Sequence, residues 1–448
     1  MKRKFYTPAS LISLLGLSAL ISAYAIWLAG SSAPLFGKLS AALSASLFAA
    51  LCLRFVPLWT GFWSREAVLK PSHDCGYEPR HAAVRIFLSL LLIDVIVLLA
   101  VFAVRRCLGL EASFLGSLEF WRCADSQHYL NIAREWYLSE GSVDRLVELV
   151  FFPGYPLAVR FISLLVKNEL YAGLIVSGVC FALSGTMLYR LARLDCPHDE
   201  AVRAVKYLCL LPGSVFFAAP MSESLFLLLS LLCIYLARTG KWTLGCIFGA
   251  LSSFTRSLGG LLLVPLCMEL FHMAAKGERR SLTLRRACSM LIVPLGTAAY
   301  LLINYRVSGD ALRFMQYQHN HWGQGFGWFF STASYQLENA LSGAYSITTV
   351  LGLWLPNLVC SFGSLIIMTA GAKRLRPSYT AHFIAYFFVA IGATWLLSAP
   401  RYLAAMQSLP LALAALTRSR RLDGALTLFF AAFWAYYLAA FALRWQVW

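Results

Sequence analysis

The sequence predicts an all-α, polytopic integral membrane protein, and three observations carry that prediction. Of its 448 residues 59% are hydrophobic and only 13% are charged, and the mean hydropathy of +0.67 lies well outside the soluble globular range. Apolar runs of roughly 20 residues, the length a helix needs to cross a bilayer, recur from end to end. Helix is the only open choice for them, because lipid offers no partner for an unpaired strand edge. A soluble cytosolic enzyme is thereby excluded. The 38 Lys and Arg against 21 Asp and Glu, a net charge of +17, would in a soluble chain suggest nucleic acid. No apolar-poor basic domain is present to bind it, so no nucleic-acid partner is expected.

Taken in chain order, the runs put spans at about 9–30, 39–59, 86–104 and 170–189. A crowded set of short pieces follows at 207–221, 223–237, 242–256 and 258–275, then spans at 287–305, 346–371, 379–397, 402–416 and 424–443, about 11–13 in all. Lys2-Arg3-Lys4 ahead of the first run and Ala23-Tyr24-Ala25 within it resemble a secretory signal, but the run continues to about Gly30 and reads as a retained span. With the N-terminus inside, the alternating inner segments hold 24 of the 38 basic residues, including Arg279-Arg280, Lys373-Arg374 and Arg420-Arg421. The excess of positive charge on that side predicts a cytoplasmic N-terminus. The twelve cysteines are scattered, with no CxxC and no zinc-like spacing, and read as small buried thiols.

Two outer loops, about 105–169 and 306–345, are then long enough to hold a site. The first carries eight of the 21 carboxylates, Glu140 and Asp144 among them, interleaved with aromatics such as Trp121, Trp136-Tyr137 and Phe151-Phe152. Such a loop is expected to lie on the membrane surface, where a lipid-linked substrate presents its head. Within it Asp125 and His128 stand at i and i+3, on one face of a helix. A carboxylate there suits a general base on a sugar hydroxyl, with the imidazole orienting it, although an Asp at a helix start is also a common cap.

Arg256 and Arg401 each interrupt apolar sequence. An arginine in that position needs a partner or a cavity, and a phosphate head suits the planar fork of a guanidinium; snorkelling to a headgroup or pairing with a local carboxylate is the structural alternative. Glu223 follows Pro212-Gly213 and Pro220, which predict a broken helix lining a cavity, and it can pair with Arg256 or bind sugar. In the second outer loop Gln318, His319, His321 and Trp322 supply the amide, imidazole and indole groups that carbohydrate sites use. Two His at i, i+2 without a carboxylate pair are poor metal ligands, so no metal is assigned.

Several segments together resemble the PIG-V type mannosyltransferases and their prokaryotic relatives among the GT-C membrane glycosyltransferases. The motifs are Asp125-Ser126-Gln127-His128-Tyr129-Leu130, then Phe151-Phe152-Pro153-Gly154-Tyr155-Pro156-Leu157, then Ser222-Glu223-Ser224-Leu225-Phe226, Thr255-Arg256-Ser257 and the late Pro400-Arg401-Tyr402. Ala124 stands where that family has Trp, Trp136 where it has Gly, and Leu258 where it has Asn. The resemblance implies a GT-C-like transmembrane glycosyltransferase domain over 86–448, preceded by a two-span extension within 1–85. It implies an inverting transfer of a hexose, mannose above others, from a polyprenyl-phosphate sugar to a lipid or glycan acceptor at the outer face of a bacterial plasma membrane, without a cofactor. Asp125 would be the base, Arg256 and Arg401 would hold the donor phosphate, and His128, Tyr129, Glu223, Gln318, His319, Trp322 and Tyr402 would contact sugar or acceptor. A transporter or lipid-sugar flippase shares the intramembrane charges but should show internal repeats, which are not visible by eye. A non-catalytic subunit of a membrane glycosylation complex is the third reading, which the loss of Trp beside Asp125 permits.

Overall fold

The computed structural model describes residues 8–63, 79–137 and 147–447; Lys2, Arg3, Lys4, Glu140 and Asp144 lie outside them. Helices dominate the described residues, and the one β feature there is an isolated bridge between Phe326 and Ala393. Seven helical segments are long and apolar enough to cross a membrane, and the chain is a multi-pass membrane protein. Ala82–Cys107 illustrates why: its 26 residues extend about 39 Å at 1.5 Å per residue, more than the ~30 Å hydrocarbon core requires. Local chemistry sets the ends. Asn168 accepts a hydrogen bond from the Tyr171 amide at 3.0 Å and so starts Glu169–Ala192, while Ser419 caps Arg420–Ala442.

Between 207 and 275 the structure corrects the expected span at 207–221 and shows the broken helix that Pro212-Gly213 and Pro220 predict ahead of Glu223. The expected span at 207–221 is not one helix. His198–Leu210 stops ahead of Pro212, which has no amide hydrogen to continue the ladder, and the chain passes through a 3-10 turn, Pro212–Phe217, and a bend at Pro220 before Glu223–Arg238 begins. Arg256 is likewise an extended residue, φ −152 and ψ 147, between helix Trp242–Thr255 and the 3-10 turn Ser257–Leu262. The expected span at 402–416 is also broken, into Ala399–Ala404 and Ser408–Leu416. The 105–169 segment holds an apolar helix that run length alone does not mark, Gly154–Val166. Its Tyr155 and Val159 are fully buried while Phe161, Leu164 and Leu165 are exposed, as expected of an element lying on lipid.

One apolar cluster joins the N-terminal helices to the residues packed around them, from Phe181 to Phe430. There Ser40 donates to the Ala333 carbonyl at 2.8 Å and Phe48 packs on Phe329 with ring centroids 4.6 Å apart, which ties Leu35–Trp63 to Phe329–Leu341. A second cluster lies beneath the Asp125 loop. At its centre Phe441, near the end of the last helix, sits 5.2 Å from Phe120, 5.3 Å from Trp121 and 5.6 Å from Phe216. These contacts seat the loop on the bundle and carry Asp125 over the broken helices.

Candidate active site

Asp125 immediately precedes helix Ser126–Glu135 and has αR backbone angles, yet its side chain makes no capping hydrogen bond. The turn before it is tight, with Ala124 in the left-handed region at φ 49 and the Ser126 amide bonded to the Cys123 carbonyl at 3.0 Å. The carboxylate is thus turned away from its own helix and is ion-paired with Arg401 Nη2. Arg401 reaches further: its Nε donates to Glu223 Oε1 at 2.5 Å. The same Glu223 oxygen accepts from Arg256 Nη1. Arg256 Nη1 also donates to Ser222 Oγ at 3.2 Å, and Ser222 shares a 2.9 Å hydrogen bond with the Tyr129 hydroxyl.

The result is an alternating row, Asp125, Arg401, Glu223, Arg256, in which two carboxylates and two guanidiniums neutralise one another. Glu223 stands at the first position of its helix, where the N-terminal dipole favours a negative charge. It is 1% exposed and Arg401 4% exposed, so neither charge is tolerable without the other. Glu223 Oε2 nevertheless has no hydrogen-bond partner among the described residues. Tyr402 lies beneath both arginines, its ring centroid 5.2 Å from the Arg256 guanidinium carbon and 5.9 Å from that of Arg401.

A cleft of about 830 Å3, counted to its open mouth, lies over this row. Asp125, Arg256 and Arg401 form its polar floor with Tyr129 and Tyr402, Phe151 and Phe152 one wall, and Gln318, Trp322 and Gln324 the other. The wall approaches the floor closely because residue 154 is glycine: a Cβ there would stand 2.3 Å from Thr255 Oγ1 and 2.9 Å from Thr255 Cα, beside Arg256. Gln318 Nε2 donates to Gln324 Oε1 at 2.7 Å, and the Trp322 ring meets Phe151 edge-on at 5.8 Å. Aromatic faces, amides and charged groups around one opening suit a polar ligand that presents ring faces and an anionic group.

Six of the residues singled out in the sequence therefore line the cleft with Asp125: Arg256, Arg401, Tyr129, Gln318, Trp322 and Tyr402. Glu223 lies behind them, bonded to the arginines. His128 does not line the cleft; it stacks on Phe151, with centroids 4.6 Å apart and planes at 17°. Burial holds its pKa below the ordinary 6.5, with the nearby Asp125 charge working the other way, so the ring is neutral at pH 7. His319, on helix Arg313–Trp322, also lies outside the lining, and His321 stacks on Tyr317. Among the described residues no group of three His, Cys, Asp or Glu side chains gathers to hold a metal ion. Ser222 and Ser257 stand in the motifs without an assigned role, and Gln324 and Ser398 are not marked by the sequence. Ser222 and Ser257 directly precede Glu223 and follow Arg256, so their neighbours were the available signal; Gln324 and Ser398 carry none.

The description "Mannosyltransferase (PIG-V)" matches residues 109–362, more than half of the chain. The chain belongs to the PIG-V mannosyltransferase family. Among relatives it is 34% identical over 193 residues to GPI alpha-1,6-mannosyltransferase 2 of Homo sapiens, covering 39% of this chain and 35% of that one. It is 27% identical over 128 residues to GPI mannosyltransferase 2 of Drosophila pseudoobscura pseudoobscura, covering 26% and 27%. The match thus spans 35% and 27% of the length of these two relatives. Two solved structures of ArnT from Cupriavidus metallidurans are similar at 14% identity. The apo state covers 70% of this chain and 60% of that one with a TM-score of 0.48, and the state bound to undecaprenyl phosphate covers 78% and 62% with a TM-score of 0.49. The PIG-V match contains Asp125, Glu223 and Arg256, whereas Arg401 and Tyr402, which complete the charge row and its floor, lie beyond its end.

Proposed function

We propose that this PIG-V family protein is an inverting glycosyltransferase that moves a hexose, mannose above others, from a polyprenyl-phosphate donor to a hydroxyl of a lipid or glycan acceptor. The observation that carries the reading is the meeting of Asp125 with Arg401 and Arg256 on the floor of one aromatic and amide-lined cleft. Donor phosphate takes a place between the two guanidiniums and displaces the Asp125 carboxylate from Arg401. The freed carboxylate removes the acceptor proton as that oxygen attacks the anomeric carbon. The new glycosidic bond forms as the bond from the anomeric carbon to the phosphate oxygen breaks, and the electron pair leaves with polyprenyl phosphate. Arg256 and Arg401 stabilise the charge that develops there; the reading routes no step through a metal or cofactor.

Glu223 holds the two like charges at the spacing a phosphate requires. Phe151, Trp322, Gln318 and Gln324 hold the sugar, and His128 backs the Phe151 wall. The reading puts the cleft on the outer face and the N-terminus in the cytoplasm of a bacterial plasma membrane, as the distribution of Lys and Arg favours. The relatives' inositol-lipid acceptor is not carried over. The test is transfer by the purified protein in lipid nanodiscs from polyprenyl-phosphate mannose to a panel of lipid and glycan acceptors, with the anomeric configuration of the product read by NMR. Turnover with inversion is expected. Retention of configuration, or no turnover with any polyprenyl-phosphate hexose while Asp125→Asn and wild type behave identically in donor binding and hydrolysis, overturns it.

A further inference from the structure

Arg401 depends on a helix that cannot hold itself. Ala399–Ala404 is six residues long, and the residue before it, Ser398, makes no side-chain cap. The first amides of such a turn have no partner within it, and in a buried site an unmet amide is costly. The Ala399 amide is met from elsewhere: it donates at 2.8 Å to Asn357 Oδ1, 42 residues away in helix Leu355–Gly371. Asn357 is 1% exposed and sits amid the apolar residues Trp354-Leu355-Pro356 and Leu358-Val359, where an amide side chain has no reason to be unless it serves a bond.

The segment leading into the short helix is held by the same device. The Leu396 carbonyl accepts from Gln336 Nε2 at 3.3 Å and from Asn357 Nδ2 at 3.5 Å, and the Leu396 amide donates to the Tyr335 hydroxyl at 2.5 Å. From the opposite side the backbone of Gly213 presses on the helix so closely that a Cβ there would stand 2.1 Å from the Pro400 carbonyl oxygen and 2.8 Å from the Arg401 amide nitrogen. The backbone that carries Arg401 is therefore clamped between Gly213 and Asn357. The Tyr386 hydroxyl donates to the Tyr402 carbonyl at 2.9 Å, and Asn357 is the side chain that meets the first amide of the helix.

We propose that Asn357, which does not line the cleft, is a positioning residue for Arg401: by capping the Ala399 amide it fixes where the guanidinium meets donor phosphate. The inference rests on the proposed role of Arg401. A displacement of about 1 Å in a group that must meet the reacting centre can cost on the order of a hundredfold, so a buried cap on its backbone has leverage on donor use without touching donor.

The test compares Asn357→Leu, which is close in size but accepts no hydrogen bond, with Asn357→Asp, which keeps the accepting oxygen. With polyprenyl-phosphate mannose as donor, Asn357→Leu is expected to lower kcat/KM by about ten- to a hundredfold, mainly through the donor KM, with the acceptor KM unchanged. Asn357→Asp is expected to restore most of it. In an Arg401→Lys background the Asn357→Leu effect should largely vanish, because the group it positions is gone. An unchanged donor KM in folded Asn357→Leu, or an effect that multiplies undiminished with Arg401→Lys, overturns the proposal while leaving the glycosyltransferase reading intact. If Asn357→Leu does not fold, Asn357→Ser, whose shorter side chain withdraws the acceptor from Ala399, carries the same expectation. Hydrogen exchange supplies a readout that needs no turnover: amides of 396–404 should exchange faster in Asn357→Leu and not in Asn357→Asp. Unaltered exchange there overturns the cap even if the protein proves to use another substrate.

Discussion

Helix Glu223–Arg238 has a buried charge cluster at each end, about 24 Å apart by its 16 residues, and the two are wired differently. At the Arg238 end, Arg238 grips both oxygens of Asp195 at 2.5 and 2.8 Å and Arg376 grips both oxygens of Glu269 at 2.6 Å. Ser378 adds a donor to Glu269 at 2.7 Å and Tyr379 one to Asp195 at 3.2 Å. Every carboxylate oxygen of that cluster has a partner. At the Glu223 end one carboxylate oxygen takes both arginines, Glu223 Oε2 takes none among the described residues, and the partner of Arg401 is a carboxylate open to the cleft. The saturated cluster is a clamp among four chain segments. The unsaturated one has an unmet acceptor and a displaceable ligand, which is what a site that must exchange an ion for a substrate requires.

That contrast can be broken in order of expected size. Asp125→Asn should lower turnover by about 10² to 10⁴ with donor binding at least as tight as in wild type, because a competing carboxylate leaves Arg401, whereas Asp195→Asn at the clamp should leave turnover per folded molecule unchanged; equal losses in a steady-state assay would erase the distinction. Glu269→Gln strands the Arg376 charge in a buried setting and should cost about 3 to 5 kcal/mol of stability, seen as earlier thermal unfolding in nanodiscs, with kcat of the surviving protein preserved. Arg401→Lys keeps the charge but cannot reach Asp125 and Glu223 together. It should weaken donor binding about tenfold, as read by titration with polyprenyl phosphate, while Arg376→Lys should not alter that titration.

The smallest effect concerns His128. Burial depresses its pKa, so the neutral ring is favoured in the folded protein and protonation favours unfolding. Its contribution is fully present above pH 6.5 and declines as pH falls through that value towards the lower folded one. The melting temperature of His128→Gln, which cannot charge, should therefore fall less than that of wild type between pH 8 and pH 5.5. Parallel curves would mean that the ring stacked on Phe151 is not held neutral.

The local pattern made parts of both clusters legible and left the rest hidden. Asp125, Glu223 and Arg256 stand out because each is a charge set in apolar or aromatic sequence, and the Glu223 with Arg256 pairing was already one reading of that spacing. Arg401 stands out by the same test, but its bond to Asp125 crosses 276 positions, and no periodicity reports a contact of that separation. Asn357 was overlooked although an amide in the middle of an apolar run is itself a signal. His319 has the chemistry of a sugar ligand, but helix Arg313–Trp322 gives the cleft its Gln318 and Trp322 side and leaves His319 off the lining.

By itself the sequence determined the membrane character, the long helices and the identity of the charges, because each follows from a local demand: lipid forces the backbone to satisfy its own hydrogen bonds, and a charge in apolar sequence must find a partner. Only the tertiary structure decided which partner, and where the 402–416 run is interrupted. The 207–221 and 402–416 runs are apolar enough to pass for spans; the first breaks at Pro212 and the second between Ala404 and Ser408, and packing meets backbone groups that such short pieces leave open, as Asn357 does for Ala399. Those breaks bring Glu223, Arg256 and Arg401 to one point under Asp125. The clamp and the cleft draw on the same residue types, and geometry alone separates them.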